Sequence, residues 1–219
     1  MTKAVNPRRA YDSPRRQEQA KATRTAILDA ARSLFMQHGY VGTTIQEIAA
    51  DAGTSPATVY AIFTNKRSVL MALIDQSIAG DDAPVPILDR SWVREMREEP
   101  NLHKRLATLA RNGRLILERR APIDEVLRSA AATDPEMDSL WQQGKAQRLA
   151  GQRELLRIVA GASGLRAGLR EGAAVDTLYA LGSPETYRLL TIDRGWSPAR
   201  FERWYADTLA RLLFEEIGH

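Results

Sequence analysis

The chain has 219 residues, 44% of them hydrophobic and 26% charged, with 31 Lys and Arg against 27 Asp and Glu. That balance is ordinary for a globular protein with ample core. The absence of cysteine excludes disulfides and thiolate metal sites. With no run of 18 apolar residues and no signal-peptide pattern, a soluble, cytoplasmic protein with no membrane association is expected. The charge is uneven. Residues 1–70 carry ten Lys and Arg against five Asp and Glu, whereas residues 71–219 carry 21 against 22. A basic first third on a near-neutral remainder is the footprint of a phosphate-binding module joined to one that does not bind phosphate.

Residues 1–16 contain two prolines, two Arg-Arg pairs and almost no large apolar side chains, so a flexible basic arm is expected there. From about Gln17 the pattern turns helical, with Ile27, Leu28, Ala31, Leu34 and Phe35 on one stripe and Gly39 in place for a left-handed C-cap. Thr43 to Phe63 then reads as two short helices and a tight turn. Ile45, Ile48 and Ala49 form a buried stripe, and Gly53 breaks it. Ser55 caps a new helix whose first position is Pro56, where a missing N–H costs nothing. Val59 and Phe63 anchor this second helix and its small polar residues stay outside, as in a major-groove reader. Thr64-Asn65-Lys66 caps a fourth helix holding Val69, Leu70, Leu73 and Ile74, and residues 80–86 read as a linker.

The rest reads as all-helical, with no lasting period-two alternation. Helices are expected at Ser91–Glu99, from Leu102 after an Asn101 cap, at Pro122–Ala132, from Pro135 to about Val159, at Ala173–Ile192 with a break possible at Ser183-Pro184, and at Pro198–Ile217. The last one carries more aromatic and aliphatic surface than an intramolecular stripe needs. The expected fold class is therefore all-α, divided into the arm (1–16), a helix-turn-helix domain (17–80) and a second helical domain (81–219).

The run of Arg24, Ile27-Leu28, Ala30-Ala31, Leu34-Phe35, Gly39-Tyr40, Thr43-Thr44-Ile45, Ile48-Ala49, Ala52-Gly53-Thr54-Ser55, Thr58-Val59-Tyr60, Phe63, Lys66 and Val69-Leu70 resembles the DNA-binding domain of the TetR family of bacterial transcriptional regulators. Nearly fifty residues align without a gap; Thr54 departs from the aliphatic residue often found there. Leu178–Leu213 also resembles the last helices of such regulators. The resemblance implies a homodimer that binds a palindromic double-stranded operator, usually represses, and is released by a small-molecule effector. An activator or nucleoid-associated protein of the same fold, or an all-α enzyme, are the alternatives.

Carried over position by position, the resemblance implies DNA contacts at Thr44, Ser55, Ala57, Thr58, Tyr60 and Lys66, with Tyr60 and Lys66 on phosphates. The second helix has no Arg, Gln or Asn for bidentate base readout. Specificity is therefore expected to lean on methyl contacts, DNA shape, Gln46, and Arg15, Arg16, Lys21 and Arg24. The resemblance also implies that 81–219 is the C-terminal helical ligand-binding (effector-binding) and dimerisation domain, with the effector pocket around Trp92, Met96, Leu117 and Trp141; the dimer interface is expected at Leu178, Tyr187, Phe201, Tyr205, Leu209 and Leu212. No enzyme, metal or cofactor is expected: His38, His103 and His219 lack ligand spacing, and no nucleophile or phosphate-cradling motif occurs.

Overall fold

The computed structural model describes residues 14–80 and 85–214; residues 1–13 of the expected arm, residues 81–84 of the linker, the side chain of Arg15 and the expected end of the last helix lie outside the described residues. Ten α-helices and no strand occur among the described residues. The first four, α1 (Pro14–Gly42), α2 (Ile45–Asp51), α3 (Pro56–Ile62) and α4 (Lys66–Ala79), follow the expected order. α1 begins at Pro14, three residues ahead of the expected start. Its helical backbone breaks at Gly39, where φ is 70°, a conformation that costs a residue with a side chain 1–2 kcal/mol or so.

Beyond α4, a 3₁₀ turn at Ile87–Asp89 leads into α5 (Ser91–Glu98). The long helices α6 (Leu102–Ala131) and α7 (Pro135–Ala160) follow, then α8 (Glu171–Leu181), α9 (Pro184–Arg188), a π-helical turn at Leu189–Asp193, and α10 (Pro198–Leu213). The break between α8 and α9 falls at Ser183-Pro184, where the Ser183 hydroxyl accepts from the Thr186 N–H. One expectation fails. The two helices expected either side of Pro122 are the single helix α6, with the proline inside it. A proline costs an interior helix turn about 3 kcal/mol. Burial on both sides offsets it, for Ala121, Ile123, Asp124, Val126 and Leu127 are all buried.

Pro122 also marks a change of core. One cluster joins Ile27, Leu28, Phe35, Ile48, Val59, Phe63 and Leu70 of the first four helices to Ile123, Val126, Leu127 and Ala130 of α6 and Met137 and Leu140 of α7. The other holds Leu102, Leu106, Leu109, Leu117 and Ala121 of α6 with the apolar residues of α7, α8 and α10. At 1.5 Å per residue, α6 is about 45 Å long and belongs to both.

The second cluster absorbs the residues expected at a dimer interface. Leu178, Tyr187, Phe201, Tyr205 and Leu209 are buried within the chain, because α8 lies against α7 and both α9 and α10 lie against α6. Tyr187 meets Phe201 edge-on at 4.9 Å, and Tyr205 stacks on Phe201. Only Leu212 of that set faces outward, 43% exposed, together with Leu189 at 54% and Ile192 at 70%. The surplus apolar surface of the last helix is mostly core.

Candidate nucleic-acid interface and interior cavity

Each short helix of the first unit starts on a side-chain cap, and the caps decide what the surface presents. Thr44 caps α2: its Oγ1 accepts from the Glu47 N–H at 3.2 Å, and its own N–H and hydroxyl donate to Glu47 Oε2 at 2.8 and 2.9 Å. This capping box ties up both donors of Thr44, an expected DNA contact, and places a carboxylate beside them. The Thr44 N–H bond, more than any other contact, holds the Glu47 carboxyl below the usual carboxylate range. Ser55 caps α3 by accepting from the Thr58 N–H at 3.1 Å, and the two hydroxyls lie 2.9 Å apart. Between them Ala52–Thr54 makes the turn, with Gly53 at φ 63°.

Val59 and Phe63 anchor α3 from within, so Ser55, Pro56, Ala57, Tyr60 and Ala61 are exposed and Thr58 is half-buried. Tyr60 is 50% exposed and extends this surface at its far end. Gln46 on α2, and Arg16 and Lys21 on the first turns of α1, are exposed as well. Arg24 is placed differently. Its guanidinium lies 4.6 Å over the Phe63 ring, packed against the helix-turn-helix rather than extended from an arm.

Lys66 also departs from a free phosphate ligand. Its ammonium donates to the Tyr40 and Thr43 carbonyls, both at 2.7 Å, and stands 4.4 Å over the Tyr40 ring. It thereby fastens the start of α4 to the turn that presents Thr44. Partial burial lowers its pKa, opposed by Glu47. Neither Glu47 nor the Tyr40–Lys66 contact was among the expected site residues, although Thr44-x-x-Glu47 is a capping-box signature legible in the chain.

A cavity of about 290 Å³ lies between α4, α6, α7, α8 and α10. Its apolar wall comes from Ile78, Ile87, Leu109, Ile116, Leu117, Leu155 and Leu178. Three of its lining residues are glycines inside long helices: Gly113 on α6, and Gly144 and Gly151, two turns apart, on α7. Each costs its helix roughly 0.5–1 kcal/mol relative to alanine. A Cβ at Gly151 would meet nothing within 4 Å, and one at Gly144 would make only ordinary contact with Arg120. The space is therefore maintained by missing side chains, against helix preference. Of the residues expected here, Leu117 lines the cavity. Met96 is buried core and Trp92 packs on it, while Trp141 packs against the first core and borders a separate surface cleft with Asp124, Glu125 and Glu185.

An exposed, capped second helix behind a glycine turn, set on a basic unit, defines a helix-turn-helix DNA-binding domain. Residues 27–73 match the family model of the bacterial regulatory proteins of the tetR family. The HTH-type transcriptional repressor ComR of Escherichia coli K12 is 42% identical over 55 residues, a stretch covering 25% of this chain and 26% of ComR. The chain thus spans about a quarter of the length of that relative. Among solved structures, the SmeT–triclosan complex superposes with a TM-score of 0.68 at 23% identity over 90% of this chain and 93% of SmeT. A transcriptional regulator of Saccharomonospora viridis in complex with choline gives 0.66 at 19% identity over 90% of this chain and all of that one. These two show the same fold over nine-tenths of the chain, extending beyond the helix-turn-helix into the helical C-terminal part.

Proposed function

We propose that the chain is a homodimeric transcriptional regulator that represses from a palindromic operator and is released when a small molecule enters the cavity. The observation that carries this reading is the helix-turn-helix surface built on the same helices, α4 and α6, that wall the cavity. A seven-residue recognition helix without Arg, Gln or Asn reads few base pairs. Two copies on half-sites about one helical turn apart supply the specificity that one lacks. Tyr60 contacts phosphate, Ser55, Ala57 and Thr58 face the groove, and Arg16 and Lys21 lie towards the backbone beside it. Lys66 and Thr44 set the orientation of α2. The dimer contact is redrawn around Leu189, Ile192 and Leu212.

Release needs a path from cavity to helix-turn-helix, and α4 offers one. Ile78 lines the cavity near its end, and Arg119 of α6 donates to the Ser77 carbonyl at 3.0 Å. The other end of α4 is Lys66, which holds the turn before α2. A ligand that displaces Ile78 therefore acts on the angle at which α3 is presented. ComR, named a repressor, and SmeT, solved with triclosan, support a repressor with a ligand.

Selection from random DNA duplexes tests this directly. Enrichment of a palindrome whose half-sites are about one turn apart is expected; enrichment of none, with folded protein, overturns the operator reading.

A further inference from the structure

The charges around the cavity are sorted by sign. Two guanidiniums, Arg120 and Arg148, line it, and no Asp or Glu does. Their acidic partners face the neighbouring cleft instead: Asp124 accepts from Arg120 Nε at 2.8 Å, and Glu185 forms an ion pair with Arg148 Nη1 at 3.6 Å, too long for a hydrogen bond. Arg148 Nη1 is buried without a hydrogen-bond partner. So is Gln152 Oε1, while the same side chain's Nε2 donates to the Gly182 carbonyl at 3.4 Å. Arg148 is held in place by the Tyr179 ring, 3.9 Å from its guanidinium carbon. A preformed guanidinium with one donor short of a hydrogen bond, at the edge of an apolar chamber kept open by helix-interior glycines, matches one ligand chemistry.

We infer that the cavity takes an apolar organic anion: a carboxylate on Arg148 Nη1, with its hydrocarbon body along Ile78, Leu109, Ile116, Leu155 and Leu178. This rests on the reading of the cavity as an effector site and deepens it by naming the ligand class. Arg120 adds favourable field but has its Nε committed to Asp124, so Arg148 is the residue that discriminates. Gln152 Oε1 selects in addition for ligands with a donor near the acid group, such as a 2-hydroxy acid. An organic cation would meet two guanidiniums on entering, and a neutral alcohol would lack the charge that strengthens a bond to a guanidinium.

The test is calorimetric titration of the full chain with three probes that share one body: 4-phenylbutanoate, 4-phenylbutan-1-ol and 4-phenylbutylammonium. The carboxylate should bind at least tenfold more tightly than the alcohol, and the ammonium most weakly. Arg148→Met should bring carboxylate and alcohol within twofold while leaving alcohol affinity unchanged, which also reports that the cavity is intact. Arg148→Lys should keep most of the preference. Gly151→Leu, whose melting transition shows whether it folds, should abolish binding of all three. Equal or tighter binding of the alcohol or ammonium overturns the anion and leaves the effector cavity standing. Failure of all three to bind, or binding undiminished in folded Gly151→Leu, overturns both. Operator binding is measured separately, so carboxylate binding without operator release overturns the release reading alone.

Discussion

The helix-turn-helix and the cavity-bearing half are built from the same kind of capped helix and differ in how completely they fill themselves. In the first, Ile27, Leu28, Phe35, Ile48, Val59, Val69, Leu70 and Leu73 are wholly buried. In the second, α6 and α7 carry glycines where helices prefer alanine, around a cavity of about 290 Å³. A DNA-reading unit must hold a few side chains at fixed geometry, so it is packed. On the proposed reading the second unit takes a ligand and must hold a vacancy, so it forgoes packing. Substitutions that hollow the first or fill the second should therefore have opposite signs.

The largest effect is expected from Phe35→Ala. Phe35 is fully buried and its ring lies 5.7 Å from that of Tyr40. Emptying such a site costs about 3–5 kcal/mol. Denaturant unfolding should show that loss, and a loss below about 1 kcal/mol would mean that the first core relaxes as readily as the second.

Lys66→Met comes next. It takes away the donor shared by the Tyr40 and Thr43 carbonyls, and leaving buried acceptors unmet costs about 1–3 kcal/mol. Operator affinity should fall for every sequence because the turn before α2 is no longer held. The salt dependence separates this role from a phosphate contact: loss of a contact lowers the logarithmic slope by about one, whereas loss of positioning leaves it near the parent value. A slope reduced by one would return Lys66 to the phosphate.

Gly151→Ala is the counterpart in the hollow half, smaller and of opposite sign. Alanine gains roughly 0.5–1 kcal/mol of helix preference, and its methyl enters open space. The melting temperature should rise by about 1–4 °C for a chain of this size, while ligand affinity falls. A lowered melting temperature would show that Gly151 serves close packing instead of the vacancy.

The same contrast explains what could be read from the chain beforehand. The first unit is written in local signals, such as Gly53, Ser55-Pro56 and Asn65, each acting within four residues, so its helix boundaries follow from the sequence. The second depends on which helix faces which. Pro122 reads locally as a break, and only burial on both sides shows why α6 continues through it. Phe201, Tyr205 and Leu209 read as surplus surface because α6, which covers them, is some eighty residues away in the chain. Trp92 and Met96 are expected at the pocket because the resemblance places their helices around it, yet the cavity is marked by the smallest residues. Gly144 and Gly151, seven apart and so on one face of α7, were the available signal.

The smallest effect tests the first unit at its most exposed point. Glu47 accepts from the Thr44 N–H and hydroxyl, and its carboxyl titrates below the usual range in the folded chain. A carboxyl whose folded pKa is lowered contributes stability that is fully present above its unfolded pKa, near 4.3, and is lost as pH falls through the folded value. Glu47→Gln keeps the shape of the box and removes the charge. It should therefore lower the melting temperature slightly at neutral pH, and the gap to the parent should close as the pH drops below about 4. The charge also faces the DNA-binding surface, where it repels phosphate. Glu47→Gln should accordingly tighten operator binding at low salt even as it loosens the cap, and a variant that is both less stable and weaker in binding would mean that the Thr44 cap matters more to the interface than the repulsion does.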